Sequence, residues 1–136
     1  MMHRLPVLFA ACWWGSLTTI GFLVVPLLFA HLPSPAQAGG MAARLFGAQT
    51  WVSLVCGLLL LMSLRGDDGA AAERSALLFL VAGGLLLALL SEFSVAPRIV
   101  ARENLRLWHG VGSGLYLLQW LCATALLWRL ARRSPA

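Results

Sequence analysis

Between Arg4 and His31 the chain runs for 26 residues without a charge. An α-helix rises 1.5 Å per residue, so about 20 apolar residues cross the ~30 Å hydrocarbon core of a bilayer. Three more such stretches follow. Leu45 to Leu64 is 20 uncharged residues between Arg44 and Arg65, Ser75 to Pro97 is interrupted only by Glu92, and Gly110 to Trp128 is bounded by His109 and Arg129. Lipid offers the backbone no hydrogen-bond partner, so a continuous apolar run spans as a helix; a barrel strand would alternate. The expected fold is all-α, a single integral-membrane domain over residues 1–136, with helices at roughly 5–30, 45–64, 75–97 and 108–129.

Composition supports this. Charged residues make up 11% of the 136-residue chain and hydrophobic ones 60%. A water-soluble domain carries about a quarter charged residues. All ten basic residues are arginines standing at the ends of the apolar runs, where they suit lipid headgroups and topology signals rather than nucleic acid. Cys12, Cys56 and Cys122 lie singly inside apolar runs, as small packing groups rather than a disulfide or zinc framework.

The first run follows a short basic start (His3, Arg4), and Ala36-Gln37-Ala38 resembles a leader cleavage site. The run is far longer than the 7–15 residues of a signal core, so a retained helix is expected. Between runs, Pro33, Pro35, Gly39 and Gly40 read as helix-stopping residues, and Gly66-Asp67-Asp68-Gly69 reads as a turn. The segment after Pro97 reads either as a loop or as a continuation of the third helix. Short links imply an up-down-up-down bundle. Six arginines fall on the side of both termini and four on the other, which favours cytoplasmic termini in a cell inner membrane. Val25-Pro26 and Ala96-Pro97 echo each other near the exits of the odd helices, but proline near a helix end is ordinary.

This topology collects His31, Arg44, Gln49, Glu92, Arg98 and His109 in one half of the membrane. Glu92 follows 17 uncharged residues and precedes five more. An intramembrane acid costs a few kcal/mol unless it is paired, protonated or facing water. It reads equally as a proton- or cation-handling group and as half of a structural ion pair. Arg44 and His109 are the better-placed partners, because Arg98 lies six residues on along the same helix. His109, Ser113, Tyr116 and Trp120 share one face of the fourth helix, and Trp14, Thr18, Gly21 and Val25 share one face of the first. Gly110 and Gly114 form a GxxxG pair, expected with Pro26 to shape helix packing. His31 and His109, on one membrane side, are the candidates for haem ligation.

With those residues in view, the chain resembles the transmembrane-protein-205-like family (domain of unknown function 4149). The likeness is carried by GSLTTIGFLVVPLLFAH at Gly15 to His31, LFG at Leu45 to Gly47, APRI at Ala96 to Ile99 and RLWHGVGS at Arg106 to Ser113. It implies a four-helix membrane protein and carries no settled activity. The Trp14-Gly15, Pro26 and Phe29 to His31 pattern is also distantly similar to the first helix of HemJ-type protoporphyrinogen oxidases and CopD-type copper-resistance proteins. That resemblance implies haem held through His31. The HemJ pattern includes a lysine, and this chain has none.

No P-loop, HExxH or GxSxG is present, so the reading is noncatalytic. The expected role is handling of a small solute, a proton or a metal ion by the polar cluster. The alternatives are a haem-binding redox protein and a structural subunit of a membrane complex. The expected partners are the lipid bilayer and a second copy or another membrane protein.

Overall fold

A computed structural model describes residues 4–133. His3 lies outside them. Four helices are long and apolar enough to cross a membrane: α1 Leu5–His31, α2 Pro35–Arg65, α3 Ala71–Val100 and α4 Leu105–Arg133. At 27 to 31 residues each spans roughly 40–47 Å, so the ends reach past the hydrocarbon into the headgroups. Among the described residues there is no strand. Each helix packs on its neighbours in sequence, and α4 closes the ring against α1.

α2 begins at Pro35 rather than at Leu45. Ser34 caps it, its Oγ accepting from the Gln37 N–H at 3.2 Å, and Pro35 takes the first helical turn, where a missing N–H costs nothing. The Ser-Pro pair that reads as a stop is therefore a start, and Gly39 and Gly40 lie inside the helix. α3 starts at Ala71 rather than Ser75 and carries through Pro97 to Val100.

Both odd helices pass their proline by the same device. A π-helical segment, Thr19–Val24 in α1 and Ser91–Val95 in α3, immediately precedes Val25-Pro26 and Ala96-Pro97. The Val25 N–H reaches back to Ile20 O, and the Ala96 N–H to Ser91 O. The carbonyls of Gly21 and Glu92 thus lose their ordinary helix donors, and Phe22 and Phe93 lose theirs because proline has no N–H. The echo seen in the sequence extends to the backbone.

The two halves of the bundle are packed differently. The apolar core lies toward the chain ends, with Trp13, Leu17, Leu60, Leu77, Val81 and Leu126 fully buried. Gly84 admits the Trp13 ring; a Cβ there would stand 2.7 Å from Cη2. Ion pairs fasten the same end, Arg129 to Glu73 at 2.8 Å and Arg133 to Asp67 at 2.7 Å. In the other half the buried apolar residues are Ala38, Ala42, Ala88 and Val95, and α1 buries nothing beyond Leu17. That half therefore buries fewer large apolar side chains than the end near the termini.

Candidate functional site

At mid-depth, helices α1, α2 and α4 converge on Ser53. Trp13 Nε1 donates to its Oγ at 3.0 Å, and the amides of Gln49 and Gln119 lie 3.3 and 2.9 Å from it. Gln49 Nε2 also donates to Ser16 Oγ at 3.0 Å, whose own proton goes to Trp13 O. A hydroxyl oxygen accepts two hydrogen bonds and donates one. Three donors converge on Ser53 Oγ, Trp13 Nε1 and Gln119 Nε2 at the shorter distances and Gln49 Nε2 at the longer. All four side chains are buried (Gln49 at 2% exposure, Gln119 at 3%, Trp13 and Ser53 at 0%). Gln49 Oε1 has no partner among the described residues.

The two sequence stripes on α1 and α4 meet. Trp120 Nε1 donates to Thr18 Oγ1 and Trp14 Nε1 to Thr124 Oγ1, each at 3.0 Å. The Tyr116 hydroxyl donates to Leu17 O at 2.6 Å, and its ring fills the space that a Cβ on Gly21 would need. Phe22 stands edge-on to Trp120, and Phe46 of α2 edge-on to Tyr116. This seam closes the ring, since each indole and phenol finds its acceptor on the facing helix.

Glu92 lies at the α3 π turn in the half away from the chain ends, half-buried and against the backbone of Gly47, where a Cβ would stand 3.5 Å from Oε1. Neither Arg44, Arg98 nor His109 forms a salt bridge with it; both ion pairs of the described residues are at the opposite end. Arg98 instead donates to Ser94 O at 3.0 Å and lies 4.4 Å from the Trp108 ring centre. Arg44 and His109 are exposed. His31, also exposed, places Nδ1 3.1 Å from Leu27 O. Of the six sequence candidates, the structure draws only Gln49 into the buried network. The other five share its membrane half without bonding to one another.

The GxxxG pair does not pack within this chain: a Cβ on Gly110 or Gly114 would meet open space. The close approach is at Gly112, between them, where a Cβ would be 3.3 Å from Val95 Cγ1. Pro26 is exposed beside its π turn. Gly110 does border a shallow depression with Asn104, Arg106, Leu107 and Val111. No group of three or more His, Cys, Asp or Glu stands together as a metal site among the described residues.

Four apolar helices ringed around a buried polar centre define a multi-pass membrane protein. The profile of the family described as Domain of unknown function (DUF4149) matches residues 8–107, and the chain belongs to that family. No curated protein and no solved structure matches the chain.

Proposed function

We propose that this protein handles a proton through Glu92, in a bundle whose termini face the cytoplasm across the cell inner membrane. One observation carries the reading: Glu92 lies inside a span, half-buried, with no cation of the described residues bonded to it. A carboxylate locked to an arginine has its counter-charge fixed. A lone one takes its neutralising charge from outside, and the smallest such charge is a proton. The setting suits exchange. Gly47 puts no side chain over the carboxylate, and the π turn frees the Glu92 and Phe93 carbonyls to hold water.

The test uses the full chain in phosphatidylcholine–phosphatidylglycerol vesicles loaded with a pH-sensitive dye. Wild type collapses an imposed pH gradient faster than empty vesicles, and Glu92→Gln returns the rate to that of empty vesicles. Arg44→Ala, one turn before Gly47 on α2, slows it by removing a positive field at that entrance. A Glu92→Gln rate equal to wild type would overturn the reading.

A second reading, a haem protein of the HemJ kind, draws on one contact. With Nδ1–H donating to Leu27 O, His31 keeps Nε2 as a free acceptor, the form in which imidazole binds iron. Addition of haem to the detergent-purified protein decides it. A Soret band that His31→Ala removes is the expected result; an unchanged free-haem spectrum excludes it.

A further inference from the structure

Two buried polar atoms of the inner face have no partner among the described residues, Gln49 Oε1 and Ser91 Oγ. Both belong to one level of the bundle. Gly47 faces the Glu92 carboxylate and Gly57 the Leu85 side chain, and the two contacts together give the approximate antiparallel register of α2 against α3. In that register Gln49 and Ser91 stand within about one helical turn of each other in height. Both also face inward. Gln49 is bonded to Ser16 and Ser53 across the centre. Ser91 stands seven residues, two helical turns, beyond Gly84, whose face receives the central Trp13 ring. The large buried side chains lie on the other side of this level, and Ala88 is the buried residue next to it on α3.

We infer that Gln49 and Ser91 hold an internal water beside Glu92. The accounting suits one molecule: it accepts from the Ser91 hydroxyl, donates to Gln49 Oε1, and has a second proton for the Glu92 carboxylate. Three hydrogen bonds to otherwise unpaired groups is the ordinary state of a buried water. Through it Glu92 joins the Gln49–Ser53–Gln119 network at the middle of the membrane. In that third bond the inference rests on the proton-handling reading of Glu92. Its other two bonds stand independently of it.

The sign of a stability change tests the proposal. Removing a hydroxyl that is buried and dry relieves an unpaired group and raises Tm; removing one that binds water loses a hydrogen bond and lowers it. Ser91→Ala in detergent-purified full chain is expected to lower Tm by roughly 3–6 °C. Gln49→Leu and the double variant complete a cycle, in which the double variant loses less than the sum because both act on one water. A rise in Tm for Ser91→Ala, or strict additivity, overturns the site. Repeating Ser91→Ala in the Glu92→Gln background separates the two proposals. Gln still accepts from the water, so the Tm loss persists even where proton flux has proved independent of Glu92.

Discussion

Trp13 and Ser53 are both fully buried at the middle of the bundle, and the indole N–H donates to the hydroxyl at 3.0 Å. The pair ties α1 to α2 where neither lipid nor bulk water can substitute. Ser53→Ala strands the indole N–H and one Gln49 proton together, at about 1–3 kcal/mol for each buried group left unpaired. The expected result in thermal or denaturant unfolding is a loss at the upper part of that range. Ser63→Ala serves as control: its hydroxyl bonds only its own helix, to Leu59 O, and the change is expected to be near neutral.

The glycines separate into those that a neighbour occupies and those that face outward. Gly84→Ala drives a methyl into the Trp13 ring and is expected to destabilise by about 1–3 kcal/mol through overpacking. Gly110→Ala meets nothing, and replacing a helical glycine there is expected to stabilise the monomer by up to about 1 kcal/mol. Parallel unfolding curves check both. If Gly110 and Gly114 serve contact with a second copy, Gly110→Ala would instead shift the cross-linked population toward monomer.

Asp67 and Arg133 predict a pH dependence. The hydrogen bond from Arg133 is the largest influence on the Asp67 carboxyl; burial opposes it, and with the lesser help of the Gly69 N–H bond and the nearby arginine charges the carboxyl is held below the usual carboxylate range. A group lowered in the folded state contributes its stability above the unfolded value of about 3.9, and loses it as pH falls through the folded value. Unfolding of wild type and Asp67→Asn is expected to differ at pH 7, by no more than about 1 kcal/mol for a pair so near the surface. The difference is expected to shrink below about pH 4.

The spans were legible because twenty apolar residues in a row admit few other outcomes. The stripes on α1 and α4 were legible in part because each falls on a helical period: Thr18 and Gly21 face Trp120 and Tyr116, while Trp14 reaches Thr124, which the sequence stripe did not include. Ser34-Pro35 misled because proline at the first helical position looks, without the cap, like proline that ends a helix. Gln119, Ser53 and Trp13 escaped because a single neutral polar or aromatic residue in an apolar run carries no mark of depth or direction. The signal available was spacing: Gln49 and Ser53 are four apart on one helix face. Gly112 escaped because the GxxxG pattern pointed to its neighbours. Rotation about the helix axis is set by the packing partner and not by the pattern alone.

The turn between α3 and α4 stores a removable strain. Arg102 adopts φ 56°, its N–H donates to Ile99 O at 3.0 Å, and the Glu103 N–H donates to Arg98 O at 3.1 Å. This is a Schellman closure of α3, with arginine at the left-handed position that glycine ordinarily fills. A side chain there costs roughly 1–2 kcal/mol, and glycine returns about 0.5–1 kcal/mol of that through its greater freedom in the unfolded chain. Arg102→Gly is therefore expected to stabilise the protein by about 0.5–1 kcal/mol. Arg102→Ala removes the same charge and keeps the Cβ, so it is expected to leave stability unchanged. Unfolding of the two variants beside wild type distinguishes backbone strain from charge. A gain shared by both would assign the effect to the guanidinium, and a loss confined to Arg102→Gly would mean that this side chain makes a contact worth more than its strain.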